Sequence, residues 1–176
     1  YQEFYKSMSN DLEKPMKWVH TKAEGKLEYT SLFFIPSKPP FDLWDRNGKS
    51  GVKLFVKRVM IMEDAETLLP RFLRFIKGLI DTDDIPLNVS REILQENKKL
   101  ETIRAASVKK ILNMIEALAK TKEYPKFWDA FGNVIKEGVV EDYENKDKIS
   151  SLLRFSSTND FDSLTSLQDY VSRMKD

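Results

Sequence analysis

The stretch Lys26-Leu27-Glu28-Tyr29-Thr30-Ser31-Leu32-Phe33-Phe34-Ile35 alternates in polarity over its first half and then turns continuously apolar. That is the pattern of a strand running into a core that covers both of its faces. Pro36, Pro39 and Pro40 end it. Working outward, Val52 to Met62 repeats the pattern, with Lys53 and Lys57 bracketing Leu54-Phe55-Val56 before Val59-Met60-Ile61-Met62, and reads as a second buried strand. Gly48 and Gly51 mark the loop between the two. Pro70 is suited to open a helix bearing Phe72, Leu73, Phe75, Ile76 and Leu79, interrupted by Gly78 and the acidic run Asp81 to Asp84. Beyond Pro86, Leu87-Asn88-Val89 leads to Ser90, an N-cap type, and to a long helical pattern through Leu100, Ile103, Ile111, Leu112, Ile115 and Leu118. Strands alternating with helices predict an α/β (α+β) fold, a layered α/β sandwich.

From Glu123 onward the strand signals fade and the chain is expected to be helical. Phe127, Trp128, Phe131, Val134 and Ile135 form one amphipathic stripe, and Ile149, Leu152 and Leu153 a short further helix. Ser156 to Ser163 is polar and reads as a surface loop. Ser166 with Asp169 reads as a capping pair opening a helix through Leu167, Tyr170, Val171 and Met174. No internal repeat or low-complexity tract is present, which argues against a solenoid. The chain starts without Met and stops inside a helical pattern, so further segments are expected beyond it.

With 176 residues and 41% hydrophobic content the composition is globular. The 29 Lys+Arg nearly balance 28 Asp+Glu, for a net charge of +1, so bulk charge recruits neither nucleic acid nor an anionic membrane. The chain contains no cysteine, which removes disulfides, thiolate nucleophiles and cysteine-ligated zinc and accords with a reducing cytoplasm. No window approaches the roughly 18 apolar residues of a membrane span, and the opening residues do not resemble a signal peptide. Phosphate loops, dinucleotide turns, zinc spacings and serine elbows are absent from the sequence. His20, the single histidine, lacks neighbouring ligand residues and reads as a strand or surface residue. Lys98, Lys99, Arg104, Lys109 and Lys110 are interspersed with Glu96, Glu101 and Glu116, as on a solvated helix face. Trp18, Trp44 and Trp128 are either core residues or exposed anchors.

The chemically informative segment is Asn88-Val89-Ser90-Arg91-Glu92-Ile93-Leu94-Gln95. An arginine in the first turn of a helix has the wrong sign for the local dipole unless an anion is shared there. Gln95, four residues on, shares its face. Two readings stand on the residues alone. Arg91 is an ordinary surface arginine paired with an aspartate of the 81–84 run, which the pattern favours, or it is an anion clamp.

Leu69-Pro70-Arg71-Phe72-Leu73-Arg74-Phe75-Ile76-Lys77-Gly78 followed by Asp84-Ile85-Pro86-Leu87-Asn88-Val89-Ser90-Arg91-Glu92-Ile93-Leu94-Gln95 resembles the signature of the heat-shock protein 90 middle domain. Supporting pieces run along the whole chain, among them Glu3-Phe4-Tyr5-Lys6, Pro40-Phe41-Asp42-Leu43 and Leu152-Leu153-Arg154-Phe155. The short loop Arg46 to Gly51, Asp42-Leu43-Trp44 and Phe155-Ser156-Ser157-Thr158 are similar to the bacterial members. The resemblance implies an ATP-dependent chaperone. In it Arg91 reaches the γ-phosphate of ATP held, with Mg, by an absent N-terminal ATPase domain; Gln95 assists and Asn88 shapes the loop. This segment alone is then not expected to hydrolyse ATP. The resemblance further implies partly folded client proteins as partners, a heat-shock protein 70 type chaperone as another, a homodimer at full length but a monomeric fragment, and a cytoplasmic setting. It divides the chain into a large α/β sandwich (1–121), a helical connector (122–156) and the start of a smaller α/β unit (157–176). Leu12, where many eukaryotic members have Trp, and Met60, where an aromatic is usual, depart from the pattern.

Overall fold

The computed structural model describes residues 1–45, 51–87 and 97–174. Helix α1 (Gln2–Ser9) is followed by strands β1 (Lys17–Ala23), β2 (Tyr29–Ile35), β3 (Gly51–Val56) and β4 (Val59–Met62). Two 3-10 turns, Glu66–Leu68 and Arg71–Leu73, lead to β5 (Lys77–Thr82). Helices α2 (Lys98–Ala119), α3 (Tyr124–Glu141) and α4 (Lys146–Leu152) come next, then the hairpin β6 (Arg154–Ser157) and β7 (Asp160–Ser166) and a last helix α5 (Leu167–Ser172). Among the described residues no helix is long and apolar enough to cross a membrane.

The main sheet has five strands in the order β1-β2-β5-β3-β4. All neighbours are antiparallel except β3 and β5, which run parallel with Val52 opposite Gly78 and Leu54 opposite Ile80. The apolar run at the end of β2 divides by alternation. Leu32 and Phe34 pack with Tyr5 of α1, while Phe33 and Ile35 join the main core beneath α2 and α3. Both faces of the strand are therefore covered, and the run is continuous because neither face needs a polar residue. The layered α/β arrangement expected from the sequence is present.

Three local expectations are corrected. The stretch from Pro70 to Leu79 is not a helix: Arg71–Leu73 is one 3-10 turn, and Lys77–Thr82 is the central strand, paired on both edges. Phe72, Leu73, Phe75 and Ile76 are all fully buried, so the apolar positions mark depth rather than a helical face. The stretch Val52 to Met62 is a hairpin rather than one strand, turning at Lys57 and Arg58, with φ of 50° and 66°. A turn with two successive positive φ values matches strand twist but usually takes Gly or Asn. Here the Lys57 N–H donates to the Thr82 carbonyl at 3.1 Å and the Arg58 N–H to Asp81 Oδ1 at 3.1 Å, which offsets the local strain. The polar run 156–163 is not a loop but most of the exposed hairpin β6–β7. Strand β1 and helix α1 are elements that sequence patterning did not single out.

Helix α3 is fastened to the 71–75 segment. Phe75 stacks on Phe131 at 4.4 Å between ring centroids and meets Phe127 edge-on at 5.9 Å. Gly138 admits the Phe72 ring, for a Cβ there would sit 2.7 Å from it. The Glu141 carboxylate accepts from the N–H groups of Arg71 (3.0 Å) and Phe72 (2.9 Å), satisfying donors that a 3-10 turn leaves open. One turn earlier, Glu137 takes a two-pronged contact from Arg74 at 2.6 and 3.0 Å, while Arg74 Nε donates to the Leu43 carbonyl at 2.8 Å. The Arg74 side chain is only 11% exposed, and lysine cannot reproduce this planar fork. Arg74→Lys is expected to cost about 1–2 kcal/mol in urea unfolding, with the slope unchanged.

Tyr124 opens α3 and donates to the Leu152 carbonyl at 2.6 Å, joining α3 to α4. Burial pushes its hydroxyl up to about 12 from 10.0, against the opposing pull of the Arg154 guanidinium, which lies 4.8 Å from the ring centroid. A pKa raised on folding favours the protonated form, so this contribution is complete below about pH 10 and is lost as pH climbs towards about 12. Tyr124→Phe is expected to lower stability by about 1–2 kcal/mol at neutral pH, because the Leu152 carbonyl loses its donor. Thermal midpoints followed from pH 8 upward should show a shallower alkaline decline in the variant than in wild type.

Candidate functional site

Asn88, Arg91 and Gln95 lie outside the described residues, which end at Leu87 and resume at Asn97. The structure therefore bears on this site through the two ends that hold it. The leading end is β5, the central strand. At its last residue the buried Thr82 hydroxyl donates to the Glu28 carbonyl at 2.9 Å and accepts from the Asp84 N–H at 3.3 Å. Asp84 in turn accepts the Glu28 N–H through Oδ2. Ile85 is buried against the main core, and Leu87 is exposed.

The trailing end is α2. Its N-cap is Asn97, whose Oδ1 accepts from the Lys99 N–H at 2.9 Å. The cap of the long helix is therefore Asn97, while Ser90 and Arg91 lie outside the described residues. The apolar stripe begins as read, with Leu100 and Ile103 buried. Asn97 is an N-cap residue type directly before the periodic run, the local signal that marks this start. Lys99 Nζ donates to the Asp84 carbonyl at 2.8 Å and lies 3.9 Å from Asp84 Oδ1, so the two ends meet.

These contacts bear on the surface-arginine reading of Arg91. Of the three carboxylates in the 81–84 run, Asp81 accepts the Arg58 N–H and Asp84 the Glu28 N–H and the Lys99 ammonium, while Asp83 is exposed.

Elsewhere the structure separates residues that the sequence left open. Trp128 is buried at 8% exposure, while Trp44 and Trp18 are exposed. His20 lies on the exposed side of β1, its Nδ1 2.9 Å from the Tyr1 hydroxyl. The charged face of α2 is solvated and mixed in sign, with Lys98, Lys99, Glu101, Arg104, Lys109 and Lys110 all exposed. The two positions that depart from the family pattern are both at the surface, Leu12 at 87% and Met60 at 51% exposure, and Phe41 is fully exposed. No group of three or more His, Asp or Glu side chains among the described residues is placed to hold a metal ion.

The family model described as Hsp90 protein matches residues 1–176. The chain is 55% identical over 179 residues to the chaperone protein HtpG of Coxiella burnetii, covering 99% of this chain and 28% of that protein. It is 56% identical over 180 residues to the chaperone protein HtpG of Hydrogenovibrio crunogenus, covering 99% and 29%. In structure it is similar to the middle domain of a Plasmodium falciparum heat shock protein, with a TM-score of 0.87 at 33% identity, covering 99% of this chain and 68% of that one. The chain spans under a third of the length of the curated relatives it matches.

Proposed function

This chain belongs to the Hsp90 protein family, and from that premise we propose that it is the middle segment of an ATP-driven chaperone, supplying Arg91 and Gln95 to the γ-phosphate of ATP. The observation that carries the reading is the motif Asn88-Val89-Ser90-Arg91-Glu92-Ile93-Leu94-Gln95, in a chain matched to the family from end to end. The donor set fits the group. A guanidinium presents parallel N–H donors spaced for two phosphate oxygens, and a glutamine amide adds a neutral donor beside it. ATP supplies the phosphoryl group that is transferred to water. Arg91 neutralises charge at the phosphate oxygens, Gln95 orients the guanidinium or shares its ligand, and Asn88 shapes the loop. The adenine pocket, Mg and the general base belong to a separate N-terminal domain, so the segment alone does not turn over ATP.

In the same reading residues 1–121 form the sandwich that carries the loop, 122–156 the connector, and 157–176 the opening of a smaller unit. The whole protein works in the cytoplasm as a homodimer, while this segment alone is a monomer. Partly folded clients meet exposed apolar side chains such as Leu12, Phe41, Trp44 and Met60, whose exposure supports that role. A heat-shock protein 70 type chaperone is a further partner. The same exposed residues favour a second reading, a docking module in which Arg91 is structural.

Substituting Arg91 and Gln95 singly and together in the full-length protein separates the two readings. Joint action at phosphate gives strongly non-additive losses of ATP turnover. A docking module keeps turnover and changes only partner affinity.

A further inference from the structure

We propose that α1 is a hinged cover on the outer face of the sheet, able to lift as a unit while the rest of the fold stays intact; the inference stands apart from the phosphate-sensing reading. Tyr5 of α1 forms with Leu32 and Phe34 of β2 a small buried cluster separate from the main core, and Met8 and Leu79 are partly buried against it. The Tyr5 and Phe34 rings lie 5.1 Å apart between centroids, and Leu32 stands opposite Leu79 across β2 and β5. Among the described residues α1 sends no hydrogen bond to the strands beneath it. Its side-chain bonds are local: the Tyr5 hydroxyl donates to Asp11 Oδ2 at 2.7 Å, and the Ser9 hydroxyl to the Tyr5 carbonyl at 2.6 Å. A polar tie to the sheet comes from Tyr1, just before the helix, whose hydroxyl meets His20 on the exposed side of β1. A helix of eight residues is not stable alone in water, so α1 depends on the packing of one buried side chain and its neighbours.

The chain after α1 turns at Asn10, whose φ of 54° lies in the left-handed region that asparagine tolerates. Beyond it the backbone is anchored. The buried Ser37 hydroxyl donates to Glu13 Oε2 at 2.8 Å, Lys38 pairs with the same carboxylate, and the Met16 N–H donates to the Ile35 carbonyl at 2.8 Å. A weakly held helix and an anchored strand thus meet at one turn, the arrangement of a hinge. A cleft of about 440 Å³ adjoins it between α1 and the 36–42 loop, lined among others by Tyr5, Ser9, Pro36, Pro39 and Phe41. Segments with little buried apolar contact open at lower free energy than the whole fold. Lifting α1 uncovers Leu32, Phe34 and Leu79, an apolar strip across two neighbouring strands.

The chain has no cysteine, so a single introduced thiol is the only group to react with dithiobis(nitrobenzoate). Leu32→Cys places it beneath α1, and Val52→Cys places it in the main core, where Val52 is fully buried. For each variant the labelling rate is followed against urea, beside the global unfolding equilibrium of the same variant. Leu32→Cys is expected to label about a hundredfold faster than its own global unfolding allows, with a urea slope well below the global one. Val52→Cys should label at the rate that global unfolding sets. Adding Tyr5→Ala should speed the labelling of Leu32→Cys by about tenfold or more, since the contact that closes α1 is gone. Labelling of Leu32→Cys no faster than global unfolding allows overturns the proposal, because α1 then belongs to one cooperative fold. Fast labelling that ignores both urea and Tyr5→Ala overturns it too, for the thiol is then reached without movement of the helix. So does equally fast labelling of Val52→Cys, which would mean that the main core opens as readily. If Leu32→Cys does not fold, Leu79→Cys, under the same helix, takes its place with the same outcomes.

Discussion

Full-length protein carrying Arg91→Ala is expected to hydrolyse ATP about a hundredfold more slowly than wild type, the usual loss when one preorganised donor to a developing charge is removed. Nucleotide affinity should be preserved, because in the proposed reading the nucleotide is held mainly by another domain and the arginine acts where phosphoryl charge is redistributed. Arg91→Lys is expected to recover only a small part of the rate. It keeps the charge but loses the planar pair of donors that can meet two phosphate oxygens together. Single-turnover hydrolysis beside equilibrium nucleotide binding on all three proteins checks both halves of the expectation. Turnover equal to wild type in Arg91→Ala would leave the segment a docking scaffold, and the exposed Leu12, Phe41 and Met60 would then be its main functional surface.

Gly78→Ala is expected to be the most damaging small substitution in the described part of the chain. Gly78 lies in the central strand opposite Phe33 on one side and Val52 on the other. A Cβ at this position would stand 2.2 Å from the Leu32 carbonyl oxygen and 3.1 Å from the Phe33 Cα. Those are backbone atoms of a paired strand, which a rotamer change cannot move aside, so the β2–β5 ladder must open or shift. A cost of about 3–5 kcal/mol follows from overpacking of this kind, lowering the thermal midpoint by about 10 °C or more. Calorimetry of the isolated chain measures it, with Gly25→Ala as a control for general glycine replacement. Gly25 has φ 137°, so alanine is strained there too, but it meets no atom within 4 Å. A midpoint for Gly78→Ala no lower than for the control would show that the strands separate without cost.

The amphipathic helices were legible before any coordinates. Phe127, Trp128, Phe131, Val134 and Ile135 line the buried side of α3, Ile149 and Leu152 that of α4, and the stripe from Leu100 to Leu118 that of α2. The Ser166–Asp169 cap was legible too: Ser166 Oγ accepts from the Asp169 N–H at 3.0 Å and donates to its carboxylate at 2.6 Å. At the candidate site, the residues alone favoured a surface role for Arg91, and only the resemblance of the Asn88 to Gln95 motif to a known family pointed to phosphate; both Arg91 and Gln95 lie outside the described residues. The residues gripping its two ends were invisible in this way, because Glu28, Thr82, Asp84 and Lys99 meet only after β2, β5 and α2 have packed.

The sequence by itself determined what depends on one buried face: the α/β class, the helices α2, α3 and α4, and the core apolar residues of β2 and β3. Tertiary structure alone decided that Pro70 to Leu79 becomes a turn and a central strand and that Lys57 and Arg58 turn a hairpin without glycine. The physical reason is common to these cases. Periodicity is informative only while one side of an element faces water. The 72–76 segment is buried on every side and so shows no period, and the strained backbone at Lys57 and Arg58 is stabilised by Thr82 and Asp81, more than twenty residues away.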